Sequence, residues 1–190
     1  MGVKKILLIV LGIIIALLFM VGSAIYSGYN QAVALDEDVK SRWAQVENQL
    51  QRRFELIPNL IATVKGIAGQ EEKIYLGVAE ARKAYFTAPS IGEKARAAGG
   101  FEAALSRLLV LRETYPELKS NESFLKLQDQ LEGTENRLAV ERQRYNEGVK
   151  ELNIFTRKLT GRLYAALAGV EKGTYFEIGE EAKTAPKVAF

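Results

Sequence analysis

The sequence predicts an all-α protein in which an N-terminal transmembrane helix leads into an antiparallel helical bundle of about four helices, two long and two short. Three observations carry that expectation. No residue from Ile6 to Leu35 is charged. Beyond that run, apolar residues recur at steps of three and four. No stretch alternates in period two for long enough to make a strand. The expected organisation is a transmembrane anchor with its short N-terminal flank over residues 1–28, a helical bundle domain over 29–168, and a partly irregular C-terminal tail over 169–190.

The first element is MGVKKILLIVLGIIIALLFMVGSAIYSGYN. Its strongly apolar part, Ile6 to Tyr26, rises about 31 Å as a helix, close to the thickness of a hydrocarbon core. A cleaved secretory signal competes with this reading, since Lys4 and Lys5 resemble a basic leader and Gly22, Ser23 and Ala24 offer small residues near a cut. The run is longer than such signals usually need, which favours a retained anchor. Lys4 and Lys5 flank the span directly, whereas Asp36, Glu37 and Asp38 come first on the far side. Positive charge is held on the cytoplasmic side. The expected topology is therefore a single pass through an inner or cytoplasmic membrane, with the N-terminus inside and the bundle outside.

The first long helix continues from the membrane to about Gly69, on a stripe of Val39, Trp43, Val46, Leu50, Phe54, Ile57, Ile61, Val64 and Ala68. Ile74, Val78, Ala81 and Tyr85 set a shorter second helix. Ala88, Pro89 and Ser90 interrupt the pattern, and Ser90 with Glu93 has the spacing of a capping box that opens a third helix. Phe101, Leu105, Leu108, Arg112 and Tyr115 continue its inner face. Pro116 ends it, and Asn121 is placed to cap the next. Phe124, Gln128, Leu131, Thr134, Leu138, Arg142, Tyr145, Val149, Leu152 and Leu159 then predict one long fourth helix. Gly133 and Gly148 within it read as close-packing points.

Composition narrows the chemistry. The chain has no cysteine and no histidine, which removes disulfides, thiolate metal sites, the commonest metal ligand and the usual neutral-pH base. The di-metal bundle pattern of a carboxylate three residues before a histidine is therefore incomplete. Glu132 with Glu135, and Glu71 with Glu72, read as charged faces and helix starts. No serine lies in a nucleophile motif, and the glycines form neither a P-loop nor a dinucleotide fingerprint. Past the two leading lysines, 24 basic residues face 23 acidic ones. A nearly neutral domain has no electrostatic footprint for nucleic acid. The expectation is no enzyme, no catalytic residue, no cofactor and no metal.

YNQAVALDEDV, WAQVENQLQRRFELIPNLIATVKG and YPELKSNESFLKLQDQLEGTENRLAVERQRYNE resemble the LemA family, and the resemblance runs from Tyr29 nearly to Phe190. It implies a membrane-anchored helical bundle of bacterial or archaeal type, with relatives in magnetosome membranes and no established enzymatic activity. Late in the chain, Thr160 and Gly161 stand where the family tends to have a Phe-Pro pair.

Two polar stripes remain as candidate self-association surfaces. Gln45, Asn48, Arg52, Glu55 and Asn59 lie at steps of three and four on the first long helix, and Asn136, Gln143, Asn146, Lys150 and Asn153 make a similar set on the fourth. Amides at a helix interface fix register by hydrogen bonding; the alternative is a solvated face. Pro58 lacks an N–H and crowds the Phe54 carbonyl, which predicts a kink. Gly12, Ala16, Ser23 and Ser27 lie near one face of the span, where small residues let membrane helices approach closely. The expected role is a membrane-anchored scaffold that self-associates as a homo-oligomer on the lipid bilayer. The alternative is an adaptor holding another membrane protein, such as a protease or a sensor.

Overall fold

The computed structural model describes residues 2–176, and all regular structure among them is helical. The elements are α1 Val3–Lys65, α2 Glu72–Thr87, α3 Ile91–Thr114, α4 Pro116–Lys119, α5 Glu122–Arg157 and α6 Leu159–Ala168. Residues 170–176 follow without helix or strand, and the remainder of the expected tail lies outside the described residues. Two compact units divide the chain, one of residues 2–40 and 148–173, the other of residues 41–147 and 174–176.

Helix α1 is one continuous element of 63 residues with Pro58 inside it. Its first part is long and apolar enough to cross a membrane, and the large apolar side chains from Leu7 to Tyr26 are exposed. The expected apolar stripe is buried from Val39 to Val64 with one shift: Leu60 is fully buried, and Ile61 only partly. The helix ends at Lys65 rather than near Gly69. Ala68 still packs inside, because the turn after the helix carries it there and its carbonyl accepts from Tyr75 Oη at 2.5 Å.

In the larger unit, Phe54 of α1 is the centre of an aromatic cluster. Its ring lies 4.6 Å from Phe101 of α3, 4.9 Å from Tyr85 and 5.2 Å from Phe86 of α2. Helices α2 and α3 pack on each other. Trp43 meets Tyr145 of α5 edge-on at 5.3 Å, and Phe176 approaches the same indole at 6.2 Å. Such ring pairs add to the area they bury. Both expected caps form: Ser90 Oγ accepts from the Glu93 N–H at 3.2 Å, and Asn121 Oδ1 from the Phe124 N–H at 2.9 Å. Pro116 stops α3 and opens the four-residue α4, a helix the periodicity does not announce. Its Leu118 is fully buried.

The smaller unit holds a second cluster, in which Ala32, Phe155 and Ala165 are buried and Leu35, Tyr164, Ala168 and Val170 close around them. The long fourth helix of the sequence reading ends at Arg157. Lys158 is extended (ψ 147°) and α6 begins anew at Leu159, whose side chain is exposed rather than on an inner face. Gly161 explains why the chain can turn so sharply: a β-carbon there would lie closer than 3.0 Å to the Phe155 carbonyl oxygen. At the other end, Gly169 adopts the left-handed conformation (φ 66°) that glycine takes without strain, and closes α6. The fourth-helix glycines divide. Gly148 is buried, whereas Gly133 is exposed and a β-carbon on it would meet open space. Gly133 is not a close-packing point, because its turn of α5 faces outward.

Candidate functional site

Phasing on α1 decides where its polar residues go. With Val46, Leu50, Phe54 and Ile57 turned inward, Gln45, Asn48, Arg52, Glu55 and Asn59 are all exposed. Glu55 accepts from Gln51 Nε2 at 3.2 Å, an ordinary neighbour pair on a helix surface. Arg52 and Glu55 also border a surface cleft of about 510 Å³, closed on its other side by Asp129, Gly133 and Arg137 of α5. Both signs of charge line this cleft, and the missing side chain of Gly133 leaves its floor open.

The α5 set splits. Asn136, Gln143 and Lys150 are exposed, and Gln143 Nε2 donates to Glu147 at 3.1 Å. Asn146 and Asn153 instead engage main chain within the molecule. Asn146 accepts from the Phe176 N–H at 2.8 Å and donates to the Phe176 carbonyl at 3.0 Å. Asn153 does the same with Gly173, at 3.0 Å in both directions. Each amide thus satisfies both polar groups of one residue in a segment that has no helix or sheet partners of its own. On the span, Gly12, Ala16, Ser23 and Ser27 are exposed, and Ser23 Oγ donates back to the Met20 carbonyl at 2.9 Å.

A buried ion network, which the sequence reading did not single out, lies among α1, α3 and α5. Arg53 is only 4% exposed. Its Nη1 donates to Glu102 at 2.6 Å and also to Glu135, while Arg142 Nη2 donates to the other oxygen of Glu135 at 3.0 Å. These four side chains line a cleft of about 310 Å³. Burial pushes the Glu102 carboxyl up to about 7, and the neighbouring Glu135 adds to the rise while Arg53 and Arg142 oppose it. Helix phase holds the signal that finds Arg53: it is three residues past Leu50 and four before Ile57, on the inward face. Nearby, Glu47 accepts from Lys94 at 2.5 Å and from Tyr85 Oη at 3.4 Å. Burial, then the Glu47 charge, raises the Tyr85 phenol above its usual range. No cluster among the described residues has the acidic, histidine or cysteine groups to hold a metal ion.

These features define the class: an all-helical protein with an N-terminal helix long and apolar enough to cross a membrane. Residues 42–190 match the LemA family, which is most of the sequence, and the chain belongs to that family. It is similar to two magnetosome proteins of Paramagnetospirillum magneticum, MamQ 1 and MamQ 2, at 25% identity over 78% of this chain. Magnetosome protein MamQ of Magnetospirillum gryphiswaldense is similar at the same 25% identity and the same coverage. The chain spans 64% of the length of these relatives.

Proposed function

We propose that this LemA-family chain is a membrane-anchored structural protein that self-associates side by side to scaffold or shape a membrane. One observation carries the reading: the apolar span and the exposed polar stripe both belong to α1, a helix of 63 residues. The cleft bordered by Arg52, Glu55, Asp129 and Arg137 offers both charges to a helix of a second copy, and Gly12, Ala16, Ser23 and Ser27 offer close approach within the bilayer. Similarity to magnetosome proteins supports a membrane-associated role. Contacts of this kind are heterologous and need not close, so arrays or arcs are expected beside small rings.

The supporting architecture is an antiparallel bundle. Arg42 donates to the Arg144 carbonyl, Trp43 meets Tyr145, and Arg53 meets Glu135, so partners on α5 descend as α1 ascends. Pro58 bends α1 to follow this bundle. Lys4 and Lys5 hold the N-terminus in the cytoplasm and the bundle domain outside. A phosphatase fused after Phe190 is then active, and a fluorescent cytoplasmic fusion overturns the orientation.

Self-association is tested by electron microscopy of the full-length protein on lipid, with Arg52→Glu and Lys150→Glu. Both variants should keep the helical circular dichroism spectrum and form smaller assemblies. Assembly equal to the parent in both leaves the stripes as solvated faces. A parent that stays monomeric at high density in lipid replaces the scaffold with an adaptor for another membrane protein.

A further inference from the structure

Helix α6, LTGRLYAALA, is apolar on two faces. Gly161, Tyr164, Ala165 and Ala168 turn toward the small unit's cluster. Leu159, Leu163 and Leu167, one turn apart, form an outer ridge that is 90%, 57% and 56% exposed. A ridge of three leucines in water has no stabilising partner within the described chain.

Its position names the partner. Tyr164 packs on Gly28, and Ala165 clusters with Ala32. These α1 residues rise only about 3 Å and 9 Å past Tyr26, the end of the strongly apolar run. A bilayer of about 40–45 Å overall with a 30 Å core leaves a headgroup layer of some 5–8 Å on each side, so α6 is fixed to α1 at headgroup depth. Tyr26 and Tyr29, both exposed at that level, suit the aromatic belt where the two phases meet. Arg157 at the end of α5, Lys158 between the helices and Arg162 within α6 are exposed, and the exposed acids of the same unit are Glu37, Glu151 and Glu171. Apolar ridge and basic flank together are the composition of a helix lying in an interface.

We propose that α6 is a second membrane contact, laying Leu159, Leu163 and Leu167 into the outer part of the bilayer with Arg157, Lys158 and Arg162 on anionic headgroups. This rests on the anchor reading of α1. With two contacts in one unit, the span is held at a set depth and rotation relative to the surface.

The chain has no cysteine, so single sites can be labelled with bimane in the full-length protein. Ile15→Cys, Leu163→Cys and Lys40→Cys are compared in phosphatidylcholine vesicles with and without phosphatidylglycerol. Nitroxide lipids carry the quencher either at the headgroup or deep in the chain. The Ile15 label should be quenched by the deep nitroxide. The Leu163 label should be quenched by the headgroup nitroxide several-fold more than the Lys40 label, and Arg157→Glu with Arg162→Glu should reduce that difference when phosphatidylglycerol is present. Quenching at Ile15 with Leu163 no different from Lys40 overturns the α6 contact and leaves the anchor standing. Absence of quenching at Ile15 overturns the anchor, and the proposal with it. A Leu163 label that is blue-shifted yet inaccessible to both nitroxides lies against protein, and the lipid contact is then wrong.

Discussion

Tyr164 occupies the space that a side chain at position 28 would need. A β-carbon on Gly28 would lie closer than 3.0 Å to Cγ, Cδ2 and Cε2 of the Tyr164 ring, and the clash includes the ring atom nearest the backbone, so a small rotation of the ring tip does not relieve it. Gly28→Ala should therefore push α6 off α1 at a cost of about 1–3 kcal/mol, the usual range for overpacking. Hydrogen exchange across residues 159–168 should quicken, while exchange in the Phe101–Leu111 stretch of α3 stays unchanged.

Gly161 meets a different obstacle, since the Phe155 carbonyl oxygen is main chain and cannot rotate away. Gly161→Ala should loosen the turn at Lys158, so that the backbone after the already exposed Arg157 and Lys158 enters the trypsin active site more readily. Cleavage there should accelerate several-fold over the parent. Equal rates would mean that the turn tolerates a methyl group.

The two asparagine clamps predict a paired result. Asn146→Ala leaves the N–H and carbonyl of Phe176 without their partner, and Asn153→Ala does the same to Gly173. Each should cost about 1–3 kcal/mol in chemical denaturation, the penalty of stranding polar groups that are partly buried. Trypsin should also cut sooner after Lys172. Restoring glutamine in place of asparagine adds a methylene and should not recover the loss.

Glu102 gives the protein a pH dependence of definite sign. Its carboxyl holds a proton up to about 7 in the folded chain, against an ordinary value of 4.5. Between those values the native state binds a proton that the unfolded chain has lost, so this group's contribution to stability is full below about 4.5 and declines as pH rises to about 7. Glu102→Gln keeps a hydrogen-bond acceptor for Arg53 and removes the titration. Melting temperatures of the detergent-solubilised parent should fall relative to this variant across that window. Parallel curves would place the Glu102 titration elsewhere.

Helix type, the apolar span and both side-chain caps were legible because they rest on local chemistry. Hydrophobic period, the absence of charge from Ile6 to Leu35, and the reach of Ser90 Oγ or Asn121 Oδ1 to an N–H three residues on are fixed within a few turns of chain. Tertiary structure alone decided what depends on neighbours distant in sequence. The break at Lys158 is invisible to periodicity because apolar residues keep helical spacing across it; only the approach of Gly161 to the Phe155 carbonyl marks it. Asn146 and Asn153 share the α5 spacing of the exposed Asn136 and Gln143, and a returning segment some 20–30 residues away claims their amides. Arg53 and Arg52 are adjacent and chemically identical, yet one is buried with two carboxylates and the other borders an open cleft. Helix phase separates them by about 100°, and the positions of Glu102 and Glu135 on other helices then give the inward arginine the partners that a buried charge requires.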